Sequence, residues 1–148
     1  MKSPYQQSLG YLASTGTPKG LGVFASREIA LGEIVELAPV LHLRGSYSGL
    51  PIELQQRVFH WERLAALSGI HALALGYGSV YNHANPANLR YASEQNGEAI
   101  RYTAVVDVRK DEELTINYND AGGEPISTED NWFAQLGITP HLEGKNDA

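Results

Sequence analysis

The chain has 148 residues and a formal net charge of −6, and its 43% hydrophobic and 19% charged residues are ordinary for a single globular domain. No cluster of Lys or Arg stands out, so binding to nucleic acid is disfavoured, and a basic protein is the partner that the charge favours. The absence of cysteine excludes disulfides and thiolate zinc sites, and without a signal peptide or a membrane-spanning apolar run we expect a cytoplasmic protein.

The beginning of the chain predicts short strands. Residues 1–17 form a polar N-terminal extension that either adds an edge strand or frays. Residues 20–25 are predicted to turn into a strand, and residues 34–43 form a second strand in which Pro39 marks a bulge or an edge. The glycines at the start of residues 20–25 are followed by a strand and not by a helix, so they do not match a dinucleotide-binding loop.

One amphipathic helix is predicted over residues 51–68, because Pro51 suits a first helical turn and Gly69 suits a stop. Apolar residues recur there at three- and four-residue steps, which is typical of a helix face that packs on the core. These residues are Leu54, Val58, Trp61, Leu64 and Leu67.

Short strands are also predicted between residues 88 and 118. Residues 88–93 and 99–106 are predicted to form a hairpin around Asn96-Gly97, since both residues tolerate a positive φ. Residues 114–118 form a further short strand. Short strands separated by turns, with few helices, predict a mostly β fold.

The C-terminal part is predicted to contain a last helix. Ser127 or Thr128 can cap its beginning, and Gly137 is placed to end it. We expect residues 143–148 to be disordered.

An unusual loop lies at residues 76–91, which read GYGSVYNHANPANLRY. Hydrogen-bonding side chains are mixed there with aromatic rings, which is typical of loops that carry function. None of the five histidines of the chain has the short spacing of a zinc site, so no metal site is predicted. The chain also lacks the G-x-S-x-G and P-loop patterns.

Three segments together resemble the SET-domain family, the protein-lysine methyltransferases that use S-adenosylmethionine. The first is residues 19–25 (KGLGVFA), continued by residues 29–35 (IALGEIV). The second is residues 82–88 (NHANPAN), similar to the family's N-H-S-x-x-P-N run. The third is residues 113–118 (ELTINY), similar to its E-L-T-x-x-Y segment. Their order and spacing match the family over most of the chain.

This resemblance implies a SET domain over residues 18–120, with small curved β-sheets in a β-clip-like arrangement and a C-terminal pseudoknot. Residues 114–118 would thread beneath the loop of residues 82–88. The helix of residues 51–68 would be the family's variable insert. Residues 121–148 would close the site.

The resemblance also implies roles for individual residues. Tyr118 would be the catalytic tyrosine beside the transferred methyl group. The substrate channel would be lined by Tyr81, Tyr91 and Ile116. Trp132, or its neighbour Phe133, would stack on the adenine, whereas the residues alone leave open whether this pair packs a terminal helix or closes over a site. The full set of residues that would bind S-adenosylmethionine is Lys19, Gly20, Leu21, Gly22, Asn82, His83 and Trp132.

Some features depart from the family pattern. Ala84 stands where the family has a serine, Ile116 replaces the first aromatic of a common Y-x-Y ending, and the cysteine-rich zinc segment is missing. A SET-like binding or assembly module without catalysis is therefore an alternative to a methyltransferase. The partners expected are a basic protein with an exposed lysine and a second copy of the chain in a homodimer, but no nucleic acid or membrane.

Overall fold

In the computed structural model the described residues are 3–118 and 122–127. This part of the chain contains two short α-helices, α1 (Ile52–Gln55) and α2 (Trp61–Ala65), and two 3-10 turns. None of its helices is long and apolar enough to cross a membrane. Its strands are β1 (Gly10–Ser14), β2 (Leu21–Ala25), β3 (Ile34–Arg44), β4 (Val58–His60), β5 (Ile70–Ala74), β6 (Asn82–His83), β7 (Leu89–Glu94), β8 (Ala99–Ala104) and β9 (Glu113–Ile116).

The strands form two small sheets, which confirms the mostly β prediction. One sheet has the order β1-β2-β9-β6, and the other has the order β4-β5-β3-β8-β7. β1 is an edge strand and pairs with β2 in antiparallel fashion, so the N-terminal extension adds a strand as one of the two alternatives predicted. The same buried core joins both sheets, since Val23 of β2 and Leu114 of β9 belong to one cluster with Ile100 and Tyr102 of β8.

The single helix predicted for residues 51–68 is wrong. β4 separates α1 from α2 and pairs with β5, with Val58 opposite Leu73 and His60 opposite His71. A β-branched residue followed by an aromatic one favours a strand, and the free edge of β5 offers a partner. The regular spacing of apolar residues between positions 51 and 68 arises because residues of different elements pack against the same core. Trp61, the first residue of α2, is fully buried.

α2 also ends before the glycine that was predicted to stop it. Ala66 has φ 56° and ψ 33°, the left-handed conformation common just after a helix, and its N–H donates to the Trp61 oxygen. Gly69 has φ +70° but lies beyond this end, next to β5.

β3 lies in the middle of its sheet and changes partner along its length. Residues 34–39 pair with β8, and residues 40–44 pair with β5. A register shift lies between Ile34 and Glu36, whereas Pro39 is the last residue paired with β8. The proline, which has no N–H to donate, therefore marks the change of partner and not the bulge or the sheet edge that was predicted.

The predicted hairpin around Asn96-Gly97 is confirmed. β7 and β8 pair in antiparallel fashion out to Glu94 opposite Ala99. Asn96 and Gly97 have φ values of 57° and 86°, so the turn uses the conformational freedom for which they were singled out.

β6 and β9 form the crossing that positions the candidate site. They pair in parallel, with Asn82 opposite Thr115 and His83 opposite Ile116. The main-chain N–H of Ala84 extends this pairing by donating to the Ile116 oxygen at 3.0 Å. The contact expected between residues 114–118 and the loop of residues 82–88 is therefore present.

Candidate active site

Tyr118 directly follows the crossing and is held at both its main chain and its hydroxyl. Its N–H donates to His83 Nδ1 at 3.0 Å, and its hydroxyl donates to the Tyr81 oxygen at 2.6 Å. The ring also lies against the His83 imidazole, with centroids 5.4 Å apart. The phenolic oxygen is therefore fixed by main-chain and side-chain groups that flank Asn82.

The Tyr118 phenol remains protonated at physiological pH. Burial raises its pKa to about 12, while the charge of Arg57 acts in the opposite direction and that of Glu113 adds to the rise. A hydroxyl with this pKa is a poor general base near pH 7. It can orient and polarise a reacting group instead.

His83 is a buried, neutral imidazole. Burial lowers its pKa to about 4, and the nearby charge of Lys19 acts in the same direction. Because Nδ1 accepts the hydrogen bond from Tyr118, it carries no proton in this arrangement. The imidazole thus holds the main chain of Tyr118 in place.

A narrow cavity of about 50 Å³ opens on one side of Tyr118. The residues predicted for the substrate channel, Tyr81, Tyr91 and Ile116, all line it together with Tyr118. Phe59 also contributes to the wall, with its ring centroid 5.0 Å from that of Tyr91. Aromatic and aliphatic walls of this kind would desolvate an amine that entered the cavity.

A second, wider cavity of about 650 Å³ also reaches Tyr118. Four of the residues predicted to bind the cofactor line it: Lys19, Gly20, Leu21 and Asn82. Of the described residues in its wall, Lys19 and Arg57 are charged and no carboxylate is present. A ligand that carries a carboxylate and a polar ring system fits this set of donors.

Gly22 and His83 lie next to the wider cavity but do not line it. Gly22 matters through Asn82, because a Cβ at position 22 would lie 3.1 Å from the Asn82 amide nitrogen and 2.6 Å from Glu113 Oε2. The Asn82 amide donates to Glu113 Oε2 at 2.8 Å and to the Leu21 oxygen at 3.0 Å. Trp132 lies outside the described residues.

Arg57 was missed in the sequence, although it lines both cavities. Its Nη1 donates to the Ser79 oxygen at 2.9 Å, which ties the insert to the loop before β6. The periodic pattern of the insert drew attention to its apolar positions, so a lone arginine between them gave no signal. Its position depends on the turn between α1 and β4, which the single-helix prediction excluded.

The C-terminal side of the loop is also held by the chain. Residues 122–127 run along it, with Tyr91 N–H donating to the Gly123 oxygen and Ala87 N–H donating to the Pro125 oxygen. The Asn85 amide donates to the Ser127 oxygen at 3.0 Å.

Comparisons with known proteins agree with this geometry. The family model for the SET domain matches residues 20–119. A Schizosaccharomyces pombe histone-lysine N-methyltransferase, named as specific for H3 lysine-37, is 29% identical over 131 residues, which are 86% of this chain and 83% of that protein.

Solved structures are similar as well. The crystal structure of a candidate histone methyltransferase of Plasmodium falciparum has a TM-score of 0.61 at 25% identity, covering 76% of this chain and 94% of that chain. A chain of an active polycomb repressive complex 2 in the basal state has a TM-score of 0.62 at 24% identity, over 77% of this chain but 16% of that one. At this identity the second likeness concerns the fold alone.

Proposed function

We propose that this chain, which belongs to the SET-domain family of protein-lysine methyltransferases, transfers a methyl group from S-adenosylmethionine to an exposed lysine of a basic protein. Family membership follows from the match over residues 20–119. The S. pombe relative is named for methylating a histone lysine. A histone-like tail is therefore the substrate class that we propose, and the net charge of −6 suits a basic partner.

One observation carries the proposal: Tyr118 is shared by the two cavities. The narrow cavity has a small volume and aromatic and aliphatic side chains in its wall, which suit a lysine side chain, and the wider one has cationic and amide groups for a cofactor. A reactant in each cavity would lie next to Tyr118. Holding two groups in line lowers the barrier to reaction because their translational and rotational freedom is already lost.

The residues of the wider cavity fit S-adenosylmethionine. Its carboxylate would lie near Lys19 or Arg57, and the main chain at Gly20 leaves room for close approach because no atom lies within 4 Å of the position of a Cβ there. The two N–H groups of the Asn82 amide already donate to Leu21 and Glu113, so its side-chain oxygen would accept a hydrogen bond from the ammonium group of the amino-acid end. When bound, this cofactor supplies an electrophilic methyl group on a sulfonium.

The chain must supply a neutral amine. Deprotonating a free lysine of pKa ≈ 10.4 at pH 7 costs about 4–5 kcal/mol. The walls of the narrow cavity would lower the lysine pKa by desolvating the ammonium, and the charge of Arg57, which also lines this cavity, would act in the same direction. The Tyr118 hydroxyl donates a hydrogen bond to the Tyr81 oxygen. The hydroxyl oxygen can therefore accept a hydrogen bond from the amine, which orients the amine. Tyr118 is thus proposed as the catalytic residue that orients without removing a proton.

Two of the three departures from the family pattern are substitutions at the crossing, and both leave its main-chain pairing in place. Ala84 lacks the serine hydroxyl, but its main chain still donates to Ile116 across the crossing. Ile116 is buried and lines the narrow cavity where the family often has an aromatic ring. Nothing in residues 3–118 and 122–127 favours the alternative of a module without catalysis.

The proposal is tested first by ligand binding. S-adenosylmethionine at 100 times its Kd stabilises a protein by about 2.7 kcal/mol, which corresponds to a rise of roughly 5–10 °C in Tm for a chain of this size. Adenosine triphosphate at the same concentration is the control and should give no comparable rise. A histone-tail peptide with labelled cofactor then tests for methyl-lysine by mass spectrometry. No shift in Tm and no labelled lysine would contradict the proposal.

Two further expectations stay predictions. We propose that the chain forms a homodimer in which the second copy completes the wall of the site, and light scattering of the protein with and without cofactor checks this. The cytoplasmic location is likewise a prediction, and a relative named for histone methylation makes a chromatin location the alternative to test by fractionation.

A further inference from the structure

Glu36, on β3, is a buried carboxylate that lies outside both cavities of the site. The residue is 2% exposed. The Tyr81 hydroxyl donates to Oε1 at 2.7 Å, and the Tyr77 N–H donates to Oε2 at 3.0 Å. The ion pairs among residues 3–118 and 122–127 do not include it. Burying a carboxylate without a cation is costly, so its retention in the core calls for a reason.

The two donors are the first and last residues of one short segment, Tyr77–Tyr81. Oxygens of this segment accept hydrogen bonds from side chains of the site and the core. The Gly78 oxygen accepts from Tyr102 at 3.1 Å, and the Ser79 oxygen accepts from Arg57 at 2.9 Å. The main-chain oxygens of the segment therefore bind side chains of the site and the core, while Glu36 binds the first and the last residue of the segment.

Its last residue makes the decisive contact. The Tyr81 oxygen accepts the hydrogen bond from the Tyr118 hydroxyl at 2.6 Å. The Tyr81 side chain points the other way, where its hydroxyl bonds to Glu36 and lies 2.9 Å from Ser8 Oγ. One residue thus joins a buried carboxylate to the phenolic oxygen at the meeting point of the two cavities.

The packing leaves this arrangement little freedom. The Tyr81 ring lies against Tyr102, with centroids 4.8 Å apart, and both rings are essentially inaccessible to solvent. Gly76 has φ +69°, and a Cβ there would clash with Glu36 Oε2, so the main chain approaches the carboxylate as closely as it can. Burial raises the pKa of the Glu36 carboxyl, and the hydrogen bonds from Tyr81 and Tyr77 offset part of the rise.

We infer that Glu36 is a positioning residue for methyl transfer, which fixes the Tyr81 carbonyl and through it the Tyr118 hydroxyl. The inference rests on the proposed function and adds a residue that touches neither reactant. Its effect is geometric: a displacement of about 1 Å at a reacting centre can cost about 100-fold in rate. Because Glu36 lines neither cavity, its loss should leave the binding of cofactor and peptide largely intact.

The test compares Glu36→Leu, which removes both acceptors, with Tyr81→Phe, which removes the hydroxyl alone. For each, we expect kcat to fall at least about tenfold while the calorimetric Kd for S-adenosylmethionine and the KM for the peptide stay within about twofold. The double variant should have a kcat no lower than that of the worse single variant, because both remove the same connection.

A conservative variant separates position from charge. In Glu36→Gln the amide oxygen can accept from Tyr77 and the amide nitrogen can donate to the Tyr81 hydroxyl, whose proton can turn to Ser8. Glu36→Gln should therefore recover at least about half of the wild-type kcat. The matched control is Glu33→Leu, three residues earlier, which removes an exposed ion pair with Arg27 and should leave kcat at the wild-type value.

Several outcomes would overturn the inference: wild-type kcat in Glu36→Leu, a Kd that worsens in proportion to kcat, or a Glu36→Gln variant as slow as Glu36→Leu. If circular dichroism shows that Glu36→Leu does not fold, Tyr81→Phe decides, and a wild-type kcat in that variant overturns it. A wild-type protein that binds cofactor but transfers no methyl group would overturn the proposed function itself, and this inference with it.

Discussion

Asn88 and Thr115 hydrogen-bond each other in both directions. The Thr115 N–H donates to Asn88 Oδ1 at 2.8 Å, and the Asn88 N–H donates to Thr115 Oγ1 at 3.2 Å. The Asn88 amide also donates to the Glu113 oxygen at 2.8 Å. These bonds connect the loop after β6 to β9. The side chains of Asn88 and Thr115 therefore continue, beyond the end of β6, the hydrogen bonding between the two segments.

The first prediction concerns this connection. Asn88→Ala removes the side-chain bonds to Thr115 and Glu113 and should lower the free energy of unfolding by about 2–3 kcal/mol, since each net hydrogen bond contributes about 1 kcal/mol. Urea denaturation measures the change. Thr115→Ser keeps the hydroxyl and is the matched control. Its free energy of unfolding should fall by less than about 1 kcal/mol. Equal losses in the two variants would argue against this connection.

The second prediction concerns the glycine beside Asn82. In Gly22→Ala the new Cβ would press on Glu113 and on the Asn82 amide, and Asn82 would have to leave its present position in the wall of the wider cavity. We expect the Kd for S-adenosylmethionine to rise at least about tenfold, a loss of about 1.4 kcal/mol in binding.

Gly16→Ala is the control for Gly22→Ala. Gly16 has φ +70° in an open turn with no atom within 4 Å of a Cβ, so the substitution strains only the backbone. It should destabilise the fold by about 1 kcal/mol and leave the Kd unchanged. Isothermal titration calorimetry of both variants decides, and unchanged affinity in Gly22→Ala would remove Asn82 from the binding site.

Five strands, β2, β3, β7, β8 and β9, and the hairpin could be predicted from the sequence because their signals are local, whereas β4, β5 and β6 could not. Asn96-Gly97 shows this, since the positive φ of both residues follows from their own chemistry. The crossing is different: Asn82 and Thr115 pair across more than thirty intervening residues, and no local pattern specifies that contact. Only the resemblance of the motifs to a known family predicted it.

The insert shows where local reasoning fails for a physical reason. Val58 and Trp61 fit one helical face in the sequence, yet Val58 belongs to a strand and Trp61 begins a helix. Hydrogen bonding to β5 outweighs a helical propensity that is weak for these residues. The role of Arg57 follows from that turn, and the role of Glu36 follows from burial, so neither could be found before the fold was known.

The third prediction concerns pH. The His83 pKa is about 4 in the folded chain, below the ordinary value of 6.5, so the unfolded chain binds more protons between these two values. Stability should therefore fall as pH decreases from 6.5 to 4, and His83 should contribute up to about 3 kcal/mol of that fall. Above pH 6.5 the imidazole is neutral in both states and contributes no pH dependence.

Urea denaturation of wild type and His83→Asn at several pH values isolates this contribution. An asparagine oxygen can take the place of Nδ1 as acceptor for the Tyr118 N–H, but it does not titrate. The pKa of His60 is also lowered, by burial and by His71, so His60 adds to the loss of stability at low pH. Because His60 is present in both proteins, its contribution cancels in the comparison. Parallel stability curves for the two proteins between pH 4 and 6.5 would show that folding does not lower the pKa of the imidazole, and would contradict the prediction.

The last prediction concerns the catalytic tyrosine itself. Tyr118→Phe removes the hydroxyl that donates to Tyr81 and leaves the ring beside His83. The Kd for S-adenosylmethionine should stay within about twofold, while kcat should fall about 100-fold because a preorganised polar group at the reacting centre is lost. Calorimetry and single-turnover methyl transfer measure the two quantities separately.

The pH dependence then distinguishes orientation from base catalysis. With a pKa of about 12, Tyr118 is protonated throughout the working range, so the rise of kcat/KM with pH should report the substrate amine and not the phenol. The residual activity of Tyr118→Phe should therefore rise with pH along the same curve as wild type, at a lower level. A curve that flattens in the variant would mean that the phenol gives up its proton during the reaction, and Tyr118 would be a base after all.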